Sequence, residues 1–219
     1  MPVRRIGLCC RSVGGRVPMG LGKPLVRVES TLERDFALLQ KFDPAVLSLE
    51  EQPVRIAFRS ADGISRSYVP DFLVRYRDAV RQPRLVEVKY ASDPGLVSGA
   101  LDERFAAARA YASIQGWSFE LVTDADIRTP YLANVTFLLP YRTRMTNPDI
   151  TGALHAALRL GGPQTVRSLA DDVAQASGLS VETVLAAVWV LVVTSQLRTD
   201  LHRPLSMNSL IHLLQEDAR

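Results

Sequence analysis

The sequence predicts an α/β protein: a mixed sheet flanked by helices, followed by a small, mostly helical second domain. Three observations carry this prediction. Across residues 29–144 the apolar positions change period in the order helix, three strands, helix, strand, which builds a sheet with helices on its faces. After Asn147-Pro148 the period is helical almost to the end. The chain has 219 residues, 47% of them hydrophobic and 22% charged, enough for one filled core and a second, smaller one.

Residues 1–28 read as a basic, irregular N-terminal arm, because glycine and proline recur from Gly14 to Pro24 and six Lys/Arg meet no acid. Ser30-Thr31-Leu32-Glu33 has the capping-box pattern, and Leu32, Phe36 and Leu39 continue it as a helix that ends near Phe42, before Asp43-Pro44. Val54, Ile56 and Phe58 alternate with Arg55 and Ala57 as a strand, and Ala61-Asp62-Gly63 is a hairpin turn. A strand follows over Ser67–Tyr76, interrupted by Pro70; then a turn near Asp78–Pro83 and a buried strand over Arg84–Tyr90. Gly95 and Gly99 mark a loop. Phe105, Ala108 and Ala112 form one stripe of a helix over Leu101–Ile114, stopped by Gly116. Trp117–Val122 reads as a strand and Val135–Leu139 as another short one. These elements make residues 29–144 one domain.

Residues 145–150 read as a linker. Beyond it, Ala153–Leu160, Val166–Ala176 and Val181–Ser195 read as helices, broken by Gly161-Gly162-Pro163 and Gly178. A small hairpin over Gln196–Arg203 and a last helix over Met207–Leu214 complete a winged-helix-like module across 151–219. Its third helix is apolar nearly all round, and no Lys or Arg occurs between Arg167 and Arg198. A helix that reads a DNA groove needs cations and polar side chains. The module is therefore expected to dock protein and to bind DNA weakly if at all.

Composition excludes several classes. The longest apolar run, Val184–Val193, is ten residues, short of the roughly 18 that a membrane span requires. No secretory leader is expected behind Arg4 and Arg5. Cys9 and Cys10 are adjacent and have no other cysteine to bridge to, which points to a reducing, cytoplasmic compartment. His155, His202 and His212 are scattered and make no metal set with them. The net charge of +3 is unevenly spread: 15 basic and 16 acidic residues across 29–144, five and seven across 145–219. Arg4, Arg5, Arg11 and Arg16 in the arm fit either phosphate contact or a solvated tail.

The basic residues comprise 23 arginines and three lysines, and Lys89 is the only lysine after residue 41. A compact ammonium can position water in a way a guanidinium does not. Lys89 sits in Leu85-Val86-Glu87-Val88-Lys89, downstream of Tyr68-Val69-Pro70-Asp71-Phe72. Strand period 2 puts Glu87 and Lys89 on one face and Val86 and Val88 on the other, and a hairpin brings Asp71 beside them. Carboxylates gathered on an apolar sheet suit Mg²⁺ or Mn²⁺, and a nearby lysine can orient water for attack on phosphorus.

These residues resemble the PD…(D/E)xK nuclease superfamily, whose restriction-endonuclease-like fold has the element order given above. The wider run resembles the TnsA family of transposase endonuclease subunits: Val28–Phe36, Glu51-Gln52-Pro53-Val54-Arg55-Ile56, Tyr68–Phe72, Glu87-Val88-Lys89, Gly116-Trp117 and Thr123–Arg128. The resemblance covers about residues 25–144 and, more loosely, the winged-helix-like region. It implies hydrolysis of DNA at transposon ends, with one or two Mg²⁺ (or Mn²⁺) ions, on the strand left uncut by a partner DDE transposase. It also implies an AAA+ ATPase regulator and a bacterial, nucleoid-associated, cytoplasmic setting. Asp71 and Glu87 would hold metal, Lys89 would position the nucleophilic water, and Glu33 would be a further ligand. Some TnsA proteins have glutamine where Glu87 stands, so an oxygen ligand is kept and charge is added.

Alternatives stay open at this level. Glu33 is also where a capping-box glutamate belongs. Gln52 is either a site neighbour or an exposed loop residue. Tyr90 and Arg128 fit DNA contact or an ordinary surface tyrosine and salt bridge. A resolvase, repair or restriction nuclease of the same superfamily, or a non-catalytic DNA-binding adaptor, shares the core motif.

Overall fold

The computed structural model describes residues 14–20 and 24–214, and the chain divides into two compact units at Thr129–Pro130. The boundary lies ahead of the expected 145–150 linker. Arg4, Arg5 and Arg11 lie outside the described residues.

In the first unit, β1 (Gly15–Pro18) and β2 (Leu25–Val28) form an antiparallel hairpin that packs on α1 (Thr31–Phe42). The arm is thus not irregular throughout. Val17 and Val26 pair across it and both are buried, an apolar face that the surrounding glycines and prolines conceal in the sequence. Helix α1 opens at Ser30, whose Oγ accepts the Glu33 N–H at 3.1 Å. It buries Leu32 and Phe36, and Phe36 stacks on Phe72 with ring centroids 5.4 Å apart.

The main sheet has four strands: β3 (Val46–Glu51), then, after the hairpin of β4 (Ile56–Arg59) and β5 (Ser65–Tyr68), β6 (Phe72–Tyr76), β7 (Arg84–Lys89) and β8 (Ser118–Thr123). Spatial order is β3-β6-β7-β8, antiparallel except for the parallel pair β7–β8. A one-turn helix α2 (Pro94–Val97), capped by Asp93 where a loop was expected, and α3 (Asp102–Ile114) cross between the parallel strands. Helix α3 buries the anticipated Phe105, Ala108 and Ala112, and Gly116 turns the chain at φ +70°. A capping box at Thr123 then starts the short α4 (Asp124–Ile127).

Two expectations fail here for identifiable reasons. The first sheet strand is Val46–Glu51, not Val54–Phe58. A bulge between Val46 and Ser48 breaks its alternation, so its buried residues, Val46 and Leu49, stand three apart and hide the strand period. The alternating Val54–Phe58 run instead supplies β4 of the separate hairpin. The single strand expected over Ser67–Tyr76 is two, in different sheets, divided at Val69–Asp71 where Pro70 has no N–H for a ladder.

Both faces of β6 and β7 are covered. Phe72, Val74, Leu85 and Val86 are fully buried. Leu73 and Leu85 form a core with Ile56, Tyr68, Ala108 and Ala112.

The second unit begins with α5 (Pro130–Leu138) and a 3₁₀ turn at Leu139–Tyr141. The strand expected over Val135–Leu139 is therefore helical. Its β-branched and aromatic residues favour a strand, but Asn134, Val135 and Leu138 form a buried helical face. Buried Asn134 donates to the carbonyls of Leu201 and Arg203 and accepts the Leu205 N–H, which ties the helix to this unit. Helices α6 (Pro148–Gly161), α7 (Val166–Ser177) and α8 (Val181–Val193) follow, with Gly178 at φ +69° ending α7. Strands β9 (Gln164–Thr165), β10 (Leu197–Arg198) and β11 (Leu210–Leu213) form a sheet in the order β10-β11-β9. Three helices with this small sheet are a winged-helix arrangement. The helix expected over Met207–Leu214 is strand β11: Leu213 opposes Leu197, and Ile211 is fully buried. Helix α8 buries Val184 and all of Ala187–Val193, so it is a core helix. No helix among the described residues is long and apolar enough to cross a membrane.

Candidate active site

The site grows from the β6–β7 register. Phe72 pairs with Val86, so the next antiparallel step sets Asp71 across from Glu87. Lys89 lies on the same face as Glu87, two residues on. The structure brings the three together. Lys89 Nζ lies 2.6 Å from Glu87 Oε1 and 4.0 Å from Asp71 Oδ2. Asp71 Oδ2 also accepts the Val88 N–H at 2.8 Å, which fixes its carboxylate against β7. Glu87 is 5% exposed, whereas the Asp71 and Lys89 side chains keep a fifth to a quarter of their surface open.

Burial, and then the charge of Glu87, push the Asp71 carboxyl well above the usual carboxylate range, against the pull of Lys89. Burial alone would lower the Lys89 ammonium, but Asp71 and Glu87 outweigh it and raise the group above the ordinary lysine value. Lys89 is thus held as a cation between two carboxylates.

Tyr68 is the member that sequence reasoning missed. It ends β5, is 7% exposed, and its phenol donates to Glu87 Oε2 at 2.5 Å. Burial and the Glu87 charge raise its pKa, so it stays a donor. Glu87 is gripped at both oxygens, by Lys89 and by Tyr68. The available signal was a tyrosine ending the strand Ser65-Arg66-Ser67-Tyr68 just before Pro70: a buried tyrosine needs a partner for its hydroxyl.

Glu33 faces the helix terminus. Its Oε2 accepts the Glu29 N–H at 2.7 Å and its Oε1 accepts the Ser30 hydroxyl at 3.0 Å. Burial raises its pKa, and its charge in turn raises that of Asp71, so it is an electrostatic neighbour of the cluster. Among the described residues, no group of three or more His, Cys, Asp or Glu stands ready to hold a metal ion. In this arrangement the Glu33 carboxylate braces the start of α1, beside the Ser30 cap.

Gln52 is buried, not exposed: its N–H donates to the Asp71 carbonyl at 2.8 Å and its Nε2 to Glu29 Oε1 at 3.1 Å. Arg128 is salt-bridged: its Nε lies 3.2 Å from buried Asp35 and its guanidinium 5.4 Å from the Tyr90 ring centre. Tyr90, beside Lys89, is 39% exposed. Arg16 lies on β1 directly opposite Arg27 of β2.

Family models match along most of the chain. Residues 43–124 match the model described as TnsA-like endonuclease N terminal, and residues 126–201 the model described as TnsA endonuclease C terminal. A search of curated proteins finds no match. The two matches meet near the division between the structural units, and the first contains Asp71, Glu87 and Lys89. The chain therefore belongs to the TnsA-like endonucleases, the nuclease subunits of transposases.

Proposed function

We propose that this chain is a metal-dependent DNA endonuclease that hydrolyses one phosphodiester at each transposon end, on the strand that a partner DDE transposase leaves uncut. The observation that carries this reading is the Asp71–Glu87–Lys89 cluster, with the two carboxylates set opposite each other and one cation between them.

The residues fit a hard divalent ion. The donors are carboxylate oxygens, which suit Mg²⁺ or Mn²⁺. Burial and the charge of Glu87 raise the cost of ionising Asp71 in a half-enclosed site, and one lysine at 4.0 Å from Asp71 leaves that cost partly unmet. Asp71 and Glu87 would hold the metal, with Glu33 joining them on release of its cap contacts. When bound, the ion would polarise the phosphate and make water more acidic. Lys89 orients the attacking water and stabilises charge developing on the phosphoryl oxygens. Tyr68 keeps Glu87 aimed at the site. In-line attack leaves a 5′-phosphate and a 3′-hydroxyl.

DNA contact is supported by like charges that share no acidic partner among the described residues. Arg16 and Arg27 oppose each other across the β1–β2 hairpin, an arrangement that is unfavourable until an anion bridges it. A phosphate backbone supplies that anion. Tyr90, next to Lys89 on the chain, carries the Arg128 guanidinium over its ring, and both side chains are exposed. In the C-terminal unit, the buried α8 and the cation-free stretch from Arg167 to Arg198 favour protein docking, to the transposase or its AAA+ regulator.

The test uses the assembled transposase on DNA carrying a transposon end. Asp71→Ala is expected to abolish the cut assigned to this chain, leave the partner's cut in place and keep the circular dichroism of the wild type. Normal cutting of both strands by that variant refutes the assignment.

A further inference from the structure

Lys89 is the last residue of the β7–β8 ladder: its partner across the parallel pair is Thr123, and beyond that pair the two strands part. The end of a ladder is where a sheet frays first. On the β8 side the chain is secured at once, because Asp126 Oδ2 accepts both the N–H and the hydroxyl of Thr123 and so starts α4. On the β7 side the chain runs into Ala91–Ala100, where no residue is buried. The hydrogen bonds of Asp93 there stay local: its N–H donates to the Tyr90 carbonyl, and its carboxylate accepts the N–H groups of Gly95 and Leu96.

This exit is tied to the rest of the first unit by α4 and the residue after it. Asp124 Oδ1 accepts the Ala91 N–H at 2.7 Å. A side-chain oxygen thus stands in for the ladder carbonyl that β8 no longer offers past the Lys89–Thr123 pair. Arg128 lays its guanidinium over the Tyr90 ring, 5.4 Å from its centre, and is itself held by buried Asp35 at 3.2 Å and the Thr31 hydroxyl at 3.1 Å, both on α1. The Arg128 N–H donates to the Asp124 carbonyl at 2.8 Å, so both contacts spring from one turn. The capping box of α4 is complete with Thr123 and Asp126, so the Asp124 carboxylate is not needed there.

Resting on the endonuclease reading given above, we propose that Asp124 is a positioning residue for Lys89. Its carboxylate pins the main chain two residues beyond the ammonium. The flexible stem of Lys89 then starts from a fixed Cα, and its Nζ returns to the place beside Glu87 and Asp71 where water is oriented. Arg128 steadies the same exit through Tyr90.

The assembled transposase on DNA carrying a transposon end tests this, with the partner's cut as the internal measure of assembly. Asp124→Ala removes the acceptor, whereas Asp124→Asn keeps an amide oxygen in its place. In Asp124→Ala the rate of this chain's cut at saturating DNA is expected to fall about tenfold or more, towards the roughly hundredfold that a misplacement of about 1 Å costs, while the DNA concentration for half-maximal rate stays within about twofold. Asp124→Asn is expected to cut within about threefold of wild type. Hydrogen exchange at the Ala91 N–H should speed up in Asp124→Ala alone. Both variants should melt within about 4 °C of wild type, since the bond is exposed. A residue that merely braced the fold would lower the melting temperature and spare the rate. Wild-type cutting by Asp124→Ala, with cutting lost in Asp71→Ala, overturns this proposal and leaves the nuclease site standing. Equal loss in Asp124→Asn and Asp124→Ala overturns it, because an acceptor at this position is then not enough. Loss of the fold or of the partner's cut in Asp124→Ala overturns it as well. Normal cutting by Asp71→Ala overturns the nuclease site and this proposal together.

Discussion

Replacing Tyr68 by phenylalanine removes a single oxygen atom from a buried contact. The ring stays in its core beside Ile56, Leu73, Leu85, Ala108 and Ala112, and its edge-to-face packing on Phe105, 6.5 Å between centroids, is unchanged. No cavity larger than a hydroxyl is made, so the cavity cost of a large-to-small change does not apply. What is lost is one O–H to carboxylate bond of 2.5 Å, in a place where water cannot substitute. Hydrogen bonds to charged groups contribute about 1.5–3 kcal/mol, and the abandoned Glu87 Oε2 keeps the loss towards the upper part of that range. Thermal unfolding of the metal-free protein, followed by calorimetry, should show the N-terminal unit melting about 4–8 °C lower, taking ~2 kcal/mol at 2–4 °C per kcal/mol. Tyr111→Phe is the control, since Tyr111 packs on Trp117 and has no carboxylate partner among the described residues; it should change stability by less than about 0.5 kcal/mol. Equal melting of the Tyr68 variant and the wild type would refute the view that the phenol holds Glu87.

Two further outcomes follow from charges elsewhere in the first unit. Asp35→Ala removes a buried carboxylate shared by Arg34 at 2.8 Å and Arg128 at 3.2 Å. The guanidiniums left behind are about half exposed, so the loss should be about 1–2 kcal/mol in urea titration, below the 3–5 kcal/mol of a stranded buried charge. Asp62, in the β4–β5 turn, is held at about 2 by the Ser60 hydroxyl, the Ile64 N–H and Arg66. A carboxyl depressed in the folded state stabilises above its unfolded value, near 3.8, and that contribution disappears as pH falls towards about 2. A carbon-detected titration should therefore place its midpoint near 2, with turn signals shifting mostly between about pH 3 and 1; an ordinary midpoint near 3.8 contradicts the hydrogen-bonded turn.

How much was legible beforehand depended on whether a residue's role was local. The strand face of Glu87 and Lys89 follows from period 2 alone, and Asp71 needed only the idea of a hairpin. Helices α1, α3, α7 and α8 announce themselves through caps and stripes. Strand β3 did not, because its bulge breaks the pattern on which recognition depends. Segment Val135–Leu139 was misread since its propensity favours a strand, while Asn134, reaching carbonyls more than 60 residues on, stabilises a helix. Tyr68 and Gln52 were obscure for a related reason. Their roles are set by partners 19 and 23 residues away in sequence, and neither belongs to a spacing rule. Glu33 was ambiguous because one spacing serves two purposes, and the structure assigns its oxygens to Ser30 and Glu29.

Strand β7 interleaves its duties residue by residue: Val86 and Val88 face one way into the core, Glu87 and Lys89 the other way into the cluster. A slip of one position against β6 would exchange the two sets. Two charges would enter a greasy interior while two valines took the places of Glu87 and Lys89. No copy of this protein can be misthreaded there and still be a well-folded, loosely aimed cutter. An error of folding at this strand dismantles the core and the cluster together, so stability and the site's geometry are lost in one step.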